Sequence, residues 1–136
     1  KDKVSIEHIY PQTATADCWE AMFVDVNQSM KKYYNGSLGN LLPLSSSINS
    51  SLQNDCFDDK KKTKKDQNGN VVRSGYANGS YSEQEVSFET NWGPNEIQER
   101  GLKLLSFMES RWKINLGNND QKKDLLHLVE KDKILE

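Results

Sequence analysis

The chain has 136 residues, of which 35% are hydrophobic and 28% charged, and its formal net charge is −2. That is the size of one ordinary domain, with a modest core and polar loops. It contains no run of ~18 apolar residues that would span a membrane. The slightly acidic balance excludes a strongly basic nucleic-acid coat, but not an enzyme that grips phosphate through a cation and a local patch.

The chain opens on Lys1 rather than Met and lacks a basic–apolar–small leader pattern. It is therefore expected to be a fragment of a longer, cytoplasmic protein. Cys18 and Cys56 are its two cysteines, and they do not form a CxxC pair. With His8 and His127 the only histidines, a structural zinc site is not expected. Both thiols are expected to be reduced and to serve in packing.

Val4–Tyr10 is the first predicted strand, ended by Pro11. The segment Asp17–Tyr34 is predicted helical in part: Trp19, Met22, Phe23, Val26 and Met30 recur at steps of three and four, and Asn35-Gly36 stops the pattern. Ser37–Ser45 is a second short strand entered through Gly39-Asn40, with Pro43 marking an edge or an end. Ser45-Ser46-Ser47 signals the start of a short helix. Lys60–Tyr76, rich in Lys, Asn and Gly, is expected to be a solvated loop, mobile over about 60–80. Val86–Asn91 carries no clear signal.

Pro94–Trp112 is the strongest helix, with Pro94 in its first turn and an apolar stripe through Ile97, Gly101, Leu104, Leu105, Met108 and Trp112. Gln121–Glu130 is a last helix; its His127 has no partner in sequence and reads as a packing or surface residue. Trp19, Trp92 and Trp112 are expected in the core.

Chemistry concentrates at Glu7-His8, which interrupts an otherwise apolar strand. Neighbours on a strand face opposite sides, so one can be buried and the other presented, or the two can bracket a cation and a reacting water. Asn40 then enters the second strand and Asn49 falls early on the following helix. Strand, strand and helix bearing His, Asn and Asn suit a single-metal phosphodiesterase. A neutral imidazole takes a proton from water at physiological pH, which makes His8 the candidate general base. A hard divalent cation compensates the charge gained at phosphorus and needs only oxygen donors. Glu7 and Asn49 are the candidate ligands. Asn40 is expected to brace the loop that carries His8 through backbone hydrogen bonds.

Three blocks, "SIEHIYPQ", "LGNLLPLSSSINSSLQNDCFDDKK" and "WGPNEIQERGLKLLSFMESRW", together resemble the C-terminal HNH endonuclease domain of GmrSD-type restriction proteins. The resemblance covers most of Val4–Trp112. Glu7 and His8 match the acidic residue and catalytic His of the wider HNH, or ββα-metal, superfamily. Asn40 matches the middle Asn, and Asn49 the last member of the motif. Asn54, Phe57 and Lys60 match a further Asn, aromatic and Lys of the family.

The resemblance implies an α+β fold with a ββα-metal core (about 4–65) and additional packing helices (about 94–136), all one domain. It implies a Mg²⁺- or Mn²⁺-dependent DNA endonuclease serving defence against phage or modified DNA. It also implies a nucleotide-dependent sensing domain N-terminal to this one. Two departures are visible: Glu stands where Asp is common, and Asn49 stands where a last His is common. The latter favours Mg²⁺ or Mn²⁺ over Zn²⁺ or Ni²⁺.

Ordinary readings stand beside these. Asn40 after Gly39 is also a natural turn residue, and Arg100 is expected to pair with Glu96 at i, i+4 rather than to reach phosphate. Lys60, Lys61, Lys64 and Lys65 read equally as a solvated face or as phosphate contacts. Lys60, with Lys61 and Asn54, is the preferred nucleic-acid contact because it matches the family position. The rival functions are a DNA-binding or scaffold module of the same fold without catalysis, and a toxin-type nuclease acting on other nucleic acid. Cutting both strands would need two active sites or two encounters, so a homo-oligomer is among the expectations.

Overall fold

The computed structural model describes residues 3–129. β1 (Val4–His8) pairs antiparallel with β2 (Leu41–Ser45), in a register that sets Glu7 opposite Leu42 and His8 opposite Leu41. Alternation along β2 turns Leu42 and Leu44 into the core and Pro43 outward. α3 (Ser46–Leu52) follows β2 without a break, so two strands and a helix do follow one another in space. A second, smaller antiparallel pair joins β3 (Lys64–Lys65) to β4 (Val71–Arg73). The architecture is mixed α and β, with two small antiparallel sheets and helices around them.

The predicted helix over 17–34 is divided into α1 (Asp17–Met22) and α2 (Gln28–Gly36). Asn27 restarts the helix by accepting the Met30 amide at 2.8 Å, an N-cap inside a sequence whose apolar spacing runs on regardless. The core gathers Ile9, Trp19, Phe23, Leu42, Phe57, Trp92 and Ile97, all with essentially no exposed surface. Each such large side chain contributes roughly 1.5–3 kcal/mol by leaving water. The Tyr10 ring stacks on Phe23 with centroids 3.8 Å apart, which ties the end of the opening strand to this core.

α4 (Phe57–Lys61) follows, and the segment expected as a loop holds the β3–β4 hairpin turned around Asp66 and Asn70. Arg73, the last residue of β4, and Tyr76 beyond it are buried. α5 (Tyr81–Ser87) was not predicted: only Val86 and Ser87 fall in the segment without a clear signal, and Ser80 and Glu83 close a capping box at the helix start. α6 (Pro94–Trp112) keeps its predicted bounds. Its stripe buries Ile97, Gly101 and Leu105, but the final turn outruns the core. Trp112, expected inside, is 59% exposed. α7 (Asn119–Leu125) packs on α6 through Leu126 and Leu128 just beyond it; Glu130 of the predicted last helix lies outside the described residues.

Two long-range ties were not legible in the sequence. Cys18 and Cys56 form a disulfide, which corrects the expectation of reduced thiols. Docking of α1 against the segment before α4 brings the two sulfurs together, and Trp19 Nε1 donates to the Asp55 carbonyl at 3.1 Å across the same contact. At the other seam, a Cβ on Gly39 would lie 1.9 Å from the Ile97 carbonyl oxygen, so only glycine admits the turn before β2 against α6. Its role is close approach. Arg100 does not pair with Glu96: its Nη1 donates to the carbonyls of Gly39 (2.9 Å) and Leu41 (2.8 Å) and fastens α6 to the start of β2. Among the described residues no helix is long and apolar enough to cross a membrane.

Candidate active site

The last two residues of β1 are separated by the pleat. Glu7 is buried, with 3% of its surface exposed, whereas His8 is half-buried at the surface. Glu7 Oε2 accepts the Tyr76 hydroxyl at 2.9 Å and meets the Lys60 ammonium at 3.4 Å. Burial pushes the Glu7 carboxyl above its ordinary range, opposed by the charge of Lys60 and the Tyr76 hydrogen bond. Burial pushes the Lys60 ammonium down, opposed by Glu7. The same cause raises the Tyr76 phenol well above its usual value, with Glu7 adding to the effect. At His8, desolvation first and then the nearby positive Lys60 hold the imidazole below its usual pKa, which favours the neutral ring.

The loop after His8 is held by Asn40, whose side chain is completely buried. Its Oδ1 accepts the Tyr10 amide at 2.8 Å and the Trp92 indole N–H at 3.0 Å. Its Nδ2 donates to the Tyr10 carbonyl at 3.0 Å and the Asn35 carbonyl at 2.8 Å. The amide thus uses two acceptor and two donor sites, on backbone and one indole. In addition, the Ile9 amide donates to the Asn40 carbonyl at 3.0 Å, extending the β1–β2 ladder past His8. Asn40 has no positive φ, so a turn conformation does not explain it.

A polar cleft of about 320 Å³ opens beside His8, and Glu7, Gln12, Thr13, Asn49 and Asn54 also line it. Asn49 is carried by α3, and its Nδ2 donates to Ser5 Oγ at 2.8 Å. With the nitrogen committed to β1, the amide oxygen is the atom this side chain can offer to a cation. Asn54, on the turn after α3, is exposed at the rim. Among the described residues no group of three or more His, Cys, Asp and Glu surrounds one point, so the donors do not suit a nitrogen- or sulfur-rich metal centre. Glu7 and Asn49 both line the cleft, and a carboxylate and an amide oxygen are donor types that suit a hard cation keeping several waters, while Glu7 Oε2 is itself held by Tyr76 and Lys60.

Of the two lysines expected to touch nucleic acid, Lys60 is enclosed in the protein, whereas Lys61 stays partly exposed and makes contacts at the surface. Lys60 is fully buried; besides Glu7, its ammonium donates to the carbonyls of His8 (3.2 Å) and Ile9 (2.9 Å). A buried ammonium cannot reach a phosphate in solution, and Lys60 is instead a strut under the backbone that carries His8. Lys61 donates to the Glu89 carbonyl at 3.1 Å, pairs with Asp58 at 3.3 Å, and lies over the Phe57 ring. Tyr76 and Trp92, which hold Glu7 and Asn40, carried no functional signal in sequence. Ser5, the partner of Asn49, was hidden as an ordinary strand residue.

These elements define a small α+β domain in which His8, Glu7 and the three amide residues Gln12, Asn49 and Asn54 line one polar cleft. A family model for the C-terminal domain of GmrSD restriction endonucleases matches residues 1–107, and the chain belongs to that family. No curated protein and no solved structure matches the chain.

Proposed function

We propose that this domain is a metal-dependent DNA endonuclease that hydrolyses phosphodiester bonds, with β1, β2 and α3 acting as an HNH-type ββα-metal core. The observation that carries the reading is that Glu7 and His8 of β1 line one polar cleft together with Asn49 of α3 and Asn54 just after it, far along the chain. Membership of a restriction-endonuclease family supports the same class of reaction. DNA is the proposed substrate, and the family description implies a larger restriction enzyme in which an N-terminal domain is the partner.

His8 is the general base: its ring stands at the cleft, and its backbone is pinned through Lys60 and the ladder bond to Asn40. Glu7 and Asn49 would hold Mg²⁺ or Mn²⁺, which when bound supplies compensation for the charge gained at the phosphate and the leaving oxygen. Asn54 contacts the substrate backbone at the rim. Asn40 is a positioning residue, since it touches only the protein around it.

The test is nicking of supercoiled plasmid by the 136-residue chain with Mg²⁺ or Mn²⁺, with EDTA and the His8→Ala variant as controls. Metal-dependent nicking that disappears in both controls is expected. Absence of nicking with either ion, or nicking undiminished in His8→Ala, would overturn the reading.

A further inference from the structure

If the cleft binds a scissile phosphate, the rest of the cut strand must leave it across the surface, and the chain as a whole is acidic. Lys60 is buried, Lys61 is tied to the Glu89 carbonyl and Asp58 at the surface, and no lysine or arginine lines the cleft itself. A larger depression of mixed lining, of about 660 Å³, lies next to it. The two hollows share Pro11, Gln12 and Thr13 as a common wall. Lys31 and Lys32, from α2, line the depression with Gln28, and Glu20 is its one acidic lining residue. Gln12, Thr13 and Lys32 are exposed.

The floor of this path is held in place. Asn35 Nδ2 donates to the Tyr10 carbonyl at 2.7 Å, so α2 is tied directly to the segment that follows His8. Lys31 and Lys32 are therefore carried in fixed relation to the cleft.

We propose that this depression is a second nucleic-acid subsite. The sugar–phosphate backbone flanking the scissile bond crosses the Gln12–Thr13 rim and is neutralised by Lys31 and Lys32. This rests on the reading of the His8 cleft as the hydrolytic site. The contacts are to phosphate, so they add affinity and orientation without sequence preference.

The test is binding of a fluorescent DNA duplex by the 136-residue chain in EDTA, where hydrolysis is stopped, as a function of salt. Lys31→Ala/Lys32→Ala is compared with Lys103→Ala/Arg111→Ala, an equal charge change at exposed positions of α6. Thermal melting confirms that both variants are folded. The proposal expects the first variant to bind about tenfold more weakly and its log–log salt slope to flatten by about 1.8, at roughly 0.9 for each phosphate that is no longer neutralised. The second should stay near wild type. Equal losses in the two variants, or none in the first, would overturn the subsite. Plasmid nicking is scored separately: a wild-type chain that binds through Lys31 and Lys32 but never nicks would sink the hydrolytic reading and leave this surface standing as a binding site.

Discussion

Asn40 closes a two-bond ring with Tyr10: its Oδ1 accepts the Tyr10 amide at 2.8 Å, and its Nδ2 donates to the Tyr10 carbonyl at 3.0 Å. The ring clamps the backbone two residues beyond His8 to the entry of β2. Removing it in Asn40→Ala leaves the Tyr10 amide and the Trp92 indole N–H without their acceptor in the core. At about 1–3 kcal/mol for each buried group left unpaired, the variant should lose several kcal/mol. Asn40→Asp should fare no better, because a carboxylate would face the Tyr10 and Asn35 carbonyls. Urea unfolding of both variants measures the loss, and a change below about 1 kcal/mol would refute the clamp.

His8 presents the opposite case. Its ring is half-buried and no hydrogen bond to it is found among the described residues. His8→Ala should therefore shift stability by no more than about 1 kcal/mol. Losing a general base should slow nicking by about 10²–10⁴-fold. Paired melting curves and single-turnover rates check the split; a variant that loses activity only because it unfolds would contradict it.

The Glu7–Lys60 pair is enclosed, so breaking it from one side should be severe. Lys60→Met strands a buried carboxylate and should cost about 3–5 kcal/mol. In that variant the Glu7 carboxyl loses its main stabilising charge, and its folded pKa rises further above the ordinary value. A carboxyl raised in the folded state stabilises when protonated. The variant should thus be least unstable at acid pH and lose stability as pH climbs from the ordinary carboxylate range through the raised folded value. Glu7→Gln/Lys60→Met should be less destabilised than the sum of the single changes, because the two sites share one interaction. Unfolding measured across pH for the three variants decides it.

Reduction of the Cys18–Cys56 disulfide opens a loop with a sequence separation of 38. Chain entropy assigns such a link roughly 3–4 kcal/mol. Urea midpoints with and without a phosphine reductant should differ accordingly, and Cys18→Ser/Cys56→Ser should match the reduced protein. Identical midpoints would show that the packing of α1 against the segment before α4 suffices alone.

Local chemistry wrote some of this structure openly. Pro94 and an apolar stripe marked α6, short apolar runs before Pro11 and around Pro43 marked β1 and β2, and the serine run opened α3. The expectation that Asn40 would hydrogen-bond backbone near His8 also followed from residue type, since an amide can donate and accept at once. The start of α5 was written in Ser80 and Glu83, a capping signal that a scan for apolar periodicity passes over. Other features depended on which segments meet. Whether Cys18 finds Cys56, whether Lys60 faces solvent or Glu7, and whether Trp112 is covered are questions about partners tens of residues away. A lysine in a charged run is the same sequence in either case. Burial alone converts it from a phosphate contact into a strut beneath His8, because once the ammonium leaves water its charge must be met by Glu7 and by carbonyls that the fold brings to it.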